Sequence, residues 1–146
     1  MIEVPGVSIE LAKRFEGLFL KPYICPGGFW TIGYGHLCKK EHPFITEGKA
    51  EEYLRDDLRV AFKAVGNICP ILLCEDENKL GAIVDFTFNL GSGRLKSSTL
   101  KKRINDYRFD EVPGELMKWV YGGGRKLNGL IRRRTAEAMR FAQIND

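Results

Sequence analysis

The stretch KLGAIVDFTFNLG, residues 79–91, constrains the fold more than any other part of the chain. Read as a helix, it carries apolar residues on almost every side. Such a helix is stable only in the middle of a core, wrapped by other elements. Its wrapping is therefore sought in amphipathic segments elsewhere. One helix is predicted from Ser8, a good N-cap, to Gly17, a good stop, with Ile9, Ala12 and Glu16 on one side. A longer one runs from Thr46 to about Val65, with Ala50, Leu54, Leu58, Ala61 and Val65 as its apolar stripe. Pro70 breaks the chain after it. Ser98 caps a short basic helix, and Asp110 starts another that runs through Trp119. YGGGRKLNG, residues 121–129, reads as a loop before a last helix from about Leu130 to Ala142.

Residues 23–37 follow a different pattern. Aromatic and β-branched side chains flank Pro26, Gly27 and Gly28, the signature of a β-hairpin. With a three-residue loop, Cys25 before the turn and Thr31 after it share one face. The predicted class is α+β and mainly helical. A small β-lobe, about 20–45, is joined by a linking helix, about 46–66, to a helical lobe of residues 67–146 plus the N-terminal helix 8–17. The whole is read as a single domain, 1–146, with a ligand cleft between the lobes.

A length of 146 residues suits one domain. No segment approaches the run of about 18 apolar residues that spans a bilayer. The start, MIEVPGVSIELAKRFEG, lacks the basic opening and unbroken apolar stretch of a secretory signal. A monomer with no membrane anchor is the expectation. Net charge is +4, and basic residues bunch in 94–108 and at Arg132 to Arg134, which favours a polyanionic partner. The three arginines point in different directions around a helix, which argues against nucleic acid. The four cysteines, Cys25, Cys38, Cys69 and Cys74, have spacings too loose for a zinc site, so no metal or cofactor is expected.

Two charges lie on apolar stripes, Glu16 on the first helix and Arg134 on the last. Leu127, Ile131, Ala138 and Phe141 mark the apolar side of the last helix, and Arg132 and Arg133 point elsewhere. A charge buried alone costs several kcal/mol, so Arg134 is the candidate partner of Glu16, unless it snorkels to solvent. A carboxyl group in apolar surroundings holds its proton to higher pH and can act as a general acid.

EGLFLKPYICPGGFWTIGYGH, residues 16–36, closely resembles the catalytic signature of phage-type lysozymes, the endolysins of glycoside hydrolase family 24. That pattern is Glu-Gly, a spacer, Tyr-x-Asp/Cys, a turn, then Thr-Ile-Gly-x-Gly-His. Here it is met by Glu16-Gly17, Tyr23-Ile24-Cys25 and residues 31–36. DFTFNLGSGRLKSSTL, residues 85–100, is similar to the family's buried helix and cleft-lining loop. WVYGGGRKLNGLIRRRTAE, residues 119–137, is similar to its C-terminal signature.

The resemblance implies a lysozyme-like fold and hydrolysis of the β-1,4 bond between N-acetylmuramic acid and N-acetylglucosamine in peptidoglycan, for host cell lysis. It implies Glu16 as general acid, Cys25 in the Asp/Cys position and Thr31 holding the attacking water. Asn89, Gly91, Ser98 and Thr99 become candidates for sugar contacts, and His36 and Arg134 for support. The implied route is accumulation in the bacterial host cytoplasm, then release to the periplasm and cell wall through a holin, where the partners are peptidoglycan glycan strands.

Glycosidases usually use two carboxylates, and here the second is a thiol. Cys25 can be a thiolate that acts as a base or stabilises charge, a nucleophile, or a bystander. A disulfide to Cys38 or Cys69 would remove it from chemistry. The alternative function is a catalytically inactive peptidoglycan-binding module. A thiol hydrolase built on Cys25 and His36 is disfavoured, because such nucleophiles sit at helix starts rather than before a hairpin turn.

Overall fold

The structure, a computed structural model, describes residues 3–143. Residues 1–2 and 144–146 of the expected 1–146 unit lie outside it. At its centre is the apolar helix, α3 (Glu77–Leu90). Gly81 to Thr87 are buried without interruption, which leaves no solvent face through the middle of the helix. Asp76 caps it by accepting from the backbone N–H of Lys79. Around α3 pack α1 (Gly6–Glu16), α2 (Glu47–Ile68) and α7 (Asn128–Phe141). The approach to α1 is so close that a Cβ at Gly81 would lie 2.6 Å from Val7 Cβ.

The predicted stripe of α2 is its buried face, from Ala50 to Val65, and Thr46 caps it through the N–H of Lys49. The helix continues three residues past the predicted end, into a 3-10 turn at Pro70–Cys74. The remaining helices are short: α4 (Ser92–Lys96), α5 (Thr99–Asn105) and α6 (Val112–Leu116).

The mainly helical class with a small β-sheet is what the structure shows, with local corrections. Ser8 is inside α1 rather than its N-cap. Its buried hydroxyl donates to the Pro5 carbonyl at 2.6 Å, and the free N–H of Gly6 is satisfied by Glu77 Oε1 of α3, also at 2.6 Å. A cap supplied from another helix leaves no mark beside the segment it caps. The helix expected from Asp110 through Trp119 is a 3-10 turn, Phe109–Glu111, followed by α6. Pro113 has no N–H to give the carbonyl four residues back, so the ladder restarts there. Residues 121–129 are not wholly loop. Strands β4 (Tyr121–Gly122) and β5 (Arg125–Lys126) pair across Gly123 and Gly124, whose φ values of 60° and 82° suit a two-residue hairpin turn. The last helix then begins at Asn128.

The β-lobe has three antiparallel strands in the order β1 (Phe19–Ile24), β2 (Trp30–Gly33) and β3 (His36–Leu37). Tyr23 pairs with Thr31, Ile24 with Trp30 and Thr31 with Leu37. The turn closes with Cys25 N–H on the Phe29 carbonyl at 3.0 Å and Gly28 N–H on the Cys25 carbonyl at 2.8 Å. The lobe sits on the start of α2, where the backbone at Gly33 meets Ala50. Among the described residues no helix is long and apolar enough to cross a membrane.

Candidate active site

Glu16 is the last residue of α1, and Gly17, at φ 72°, turns the chain out of the helix toward the sheet. Its side chain is 21% exposed, and Oε2 accepts from Arg133 Nη1 at 2.5 Å. The other oxygen lies against Gly35, between β2 and β3. A Cβ there would fall 2.6 Å from Oε1, and φ at Gly35 is 79°. Gly35→Ala therefore forces the carboxyl to move as well as straining the backbone. We expect it to lower any turnover that depends on Glu16 about a hundredfold, the scale of an ångström-sized misplacement. Gly124→Ala shares the strain (φ 82°) but meets no atom within 4 Å, so it should cost stability and leave turnover intact. Equal losses in both variants would remove the steric explanation.

The partner of Glu16 is Arg133, not Arg134. The single-stripe projection fails because α7 packs against α1, α3 and α6 at once, so its buried face is wide enough to take both arginines. Arg133 faces α1 and α3. It grips Asp85 with two nitrogens, Nε to Oδ2 at 3.0 Å and Nη2 to Oδ1 at 2.8 Å, and gives the third to Glu16. Phe15 and Phe88 flank its guanidinium at 5.7 and 5.9 Å. Arg134, fully buried, lies over the Phe86 ring and donates to Glu137 Oε2 at 2.9 Å and Asn89 Oδ1 at 2.8 Å. Asp85 and Glu137 were missed in the sequence. The signal for Asp85 was present, since it is the one charge inside the apolar run of α3.

The hairpin presents Cys25 and Thr31 on one face, as the strand alternation predicted: Cys25 bonds to Phe29, two residues from Thr31. Thr31 is buried and donates to the Phe29 carbonyl at 2.9 Å. The backbone at Phe29 and the Thr31 hydroxyl hold the Cys25 thiol below the ordinary thiol pKa, against a smaller effect of burial. Thr31 has one hydroxyl proton, so it serves the carbonyl while Cys25 is a thiol and the sulfur when it is a thiolate. Tyr23 ties the two regions together. Burial first, then the charges of Glu16 and Cys25, push its phenol up.

All four cysteines are free. Cys38 pairs with Trp30, so it faces away from Cys25 across the sheet. Cys69 is buried beyond the far end of α2, its thiol pushed up to about 11 by burial. It follows Ala50 by 19 residues, roughly 28 Å at the helical rise, so neither residue is placed to bridge to Cys25.

An open groove of about 360 Å³ runs between the lobes, walled by Gly35 and Leu37 from the sheet, Val60 of α2, and Thr87, Phe88 and Gly91. Of the four candidates for sugar contacts, Gly91 lines it. Asn89 turns its carbonyl to Arg134. Ser98 is a buried helix cap, donating to the Leu95 carbonyl at 2.7 Å and accepting from Lys101 N–H at 3.0 Å, and Thr99 opens α5; neither borders the groove. His36 Nδ1 lies 2.8 Å from Asp57 Oδ2, and its ring stacks on Tyr53 with centroids 4.2 Å apart, which fastens β3 to α2.

A family model described as phage lysozyme matches residues 13–137. The endolysin of Bacillus phage B103 is 37% identical over 144 residues, 96% of this chain and 54% of its own length. The chain thus spans about half the length of that relative. The endolysin of Acyrthosiphon pisum secondary endosymbiont phage 1 is 38% identical over 139 residues, 92% of this chain and 94% of its own. Among solved structures, the muramidase domain of SpmX from Asticaccaulis excentricus matches with a TM-score of 0.83 and 32% identity, over 97% of this chain and 98% of that one. The active form of P1 phage endolysin Lyz, at 20% identity, shares the fold with a TM-score of 0.87, over 97% of this chain and 86% of its own.

Proposed function

Because the chain belongs to the phage lysozyme family, we propose that it is an endolysin acting as a muramidase, hydrolysing the β-1,4 bond between N-acetylmuramic acid and N-acetylglucosamine in peptidoglycan. The observation that carries this reading is the seating of Glu16. One carboxyl oxygen is held by Arg133 and the other lies against Gly35, a wall of the groove. The oxygen left to deliver a proton to the glycosidic oxygen is Oε1. In this reading Thr31 accepts from the attacking water, and its one hydroxyl proton goes to the Phe29 carbonyl or, once Cys25 beside it is a thiolate, to the sulfur. We take the chain as one catalytic domain. We also place holin-mediated access to the wall and action as a monomer in the same proposal.

The lowered thiol favours the two thiolate roles of Cys25, base or stabiliser of the sugar cation, over the bystander. The test measures reducing ends released from purified peptidoglycan. Cys25→Ser is expected to lose about a hundredfold or more, the scale of a general base, and Cys25→Asp to keep most of the native rate. Full activity in Cys25→Ser makes the thiol a bystander. No release by the native protein moves the inactive wall-binding module ahead.

An independent reading comes from alkylation at Cys25, followed by peptide mass. A lowered pKa means thiolate forms at lower pH, so the rate should rise at lower pH than for an ordinary thiol. Thr31→Val should move that rise upward. Coincidence with a free cysteine would discard the thiolate assignment.

A further inference from the structure

The basic run at residues 94–108 has no part in the site described so far. The fold brings two of its lysines to the far end of the groove. A second hollow, of about 400 Å³, is lined by Ala64, Asn67 and Ile68 of α2, Ser92 and Lys96 of α4, and Lys101 of α5. Ala64 and Ser92 also line the groove beside Gly35, so the two openings adjoin along α2. From Asp57, in the first opening, to Asn67, in the second, is ten residues of helix, roughly 15 Å at the helical rise.

No carboxylate of the protein answers these two ammonium groups. The side chains of Lys96 and Lys101 make no hydrogen bond or ion pair to a described residue. Lys13, Lys49, Lys79 and Lys118, by contrast, each hold a carboxylate. The end of α2 does not occupy them either, because its Ile68 carbonyl accepts from Asn105 Nδ2 at 3.0 Å. Residues 58–74 and 86–105 include every residue that lines the hollow. They contain seven bases and no acidic residue, in a chain that has 19. Unpaired lysines on a convex face are commonly just solvated. These two border a concavity that continues the groove, and a strand lying in the groove would pass them. Like charges left without a counter-ion in a concave site favour an anion.

We propose that this hollow is an anion subsite of the groove, in which Lys96 and Lys101 bind a carboxylate of the stem peptide on a muramic acid residue a few sugars from the bond cleaved. Asn67 and Ser92 offer neutral hydrogen-bond partners beside them. The identity of the strand rests on the muramidase reading above. Peptidoglycan carries its stem carboxylates on alternate sugars, so a strand that extends from Glu16 along α2 brings one to the lysines. The contact is remote from the reacting atoms and equal in ground and transition states, so it sets KM and leaves kcat alone. Exposed ion pairs are individually weak and screened by salt. Two together should change affinity about fivefold at low ionic strength, and less at physiological salt.

The test uses purified wall in three forms: untreated, with its carboxylates amidated by carbodiimide and ammonia, and stripped of phosphate polymers by hydrofluoric acid. Binding is read by sedimentation with wall, in a Glu16→Gln background that keeps the wall intact, and turnover by release of reducing ends. Lys96→Gln/Lys101→Gln should need about fivefold more untreated wall for half-saturation, with kcat and melting temperature unchanged. Amidation should weaken the native sequence by the same factor and the double variant no further, since both remove one contact. Stripping phosphate should leave the gap in place. Lys102→Gln/Arg132→Gln removes as much charge from exposed positions outside both openings and should lose little. The proposal is overturned if the double variant binds like the native sequence or if the control pair loses as much. It is also overturned if the gap survives amidation and closes on stripping, which assigns the anion to phosphate. If the native protein releases no reducing ends but the gap follows the carboxylates, the muramidase reading falls and the anion subsite stands in a wall-binding module.

Discussion

Glu16→Gln is expected to lower release of reducing ends from purified peptidoglycan by about 10²–10⁴-fold, the range that a general acid supplies. Its fold should survive. The substitution keeps the shape, and the amide oxygen still accepts from Arg133. The side chain is 21% exposed, so water shares in replacing what the ion pair loses. This separation of effects is what distinguishes chemistry from scaffolding. If activity were lost because α1 and α7 came apart, the melting temperature would fall with it. A variant that melts like the native protein and still binds wall places the loss at the proton transfer. A variant that keeps more than a tenth of the native rate removes Glu16 from that role, leaving the family resemblance without its acid.

The elements legible in the sequence were those whose signal is local. The apolar run of α3 required a surrounding shell, and the stripe from Ala50 to Val65 marked the face that α2 turns to it. The alternation around Pro26 to Gly28 puts Cys25 and Thr31 on one face, and the strand pairing agrees. What the chain concealed depends on contacts between distant segments. Ser8 looked like a cap because nothing near it reveals that Glu77, 71 residues on, closes the helix end. Ser98 looked available to a sugar because its two backbone bonds belong to a cap rather than to a pattern. The arginine pair is the sharpest case. A helical wheel assigns one direction per residue, but α7 is enclosed on several sides, and which of two adjacent arginines meets Glu16 is set by where Asp85 stands on α3. The family resemblance pointed to Glu16, Cys25 and Thr31, and the geometry replaced the inferred partner of Glu16.

Arg133→Met should be the most destabilising single change in the site. The methionine fills much of the aliphatic volume but leaves Asp85 buried, with its two guanidinium bonds gone. Removing one member of a buried pair in this way costs about 3–5 kcal/mol. For a domain of this size that corresponds to a fall in melting temperature of roughly 10 °C or more. The sign of the pH dependence follows from Asp85, which Arg133 holds below the ordinary aspartate value against the opposing effect of burial. A carboxyl depressed in the folded state adds stability that is fully present above its unfolded pKa, and that stability is lost as pH falls through the folded value. The difference between native and Arg133→Met should therefore be largest near neutral pH and shrink in acid, where Asp85 takes up a proton in the variant. Arg132→Met, one residue earlier and exposed, should change neither stability nor its pH profile. Activity should fall in Arg133→Met as well, since Glu16 loses the contact that fixes Oε2. If Arg133→Met instead melts like the native protein at neutral pH, the buried grip on Asp85 contributes little. The aim of Glu16 would then lose its physical basis.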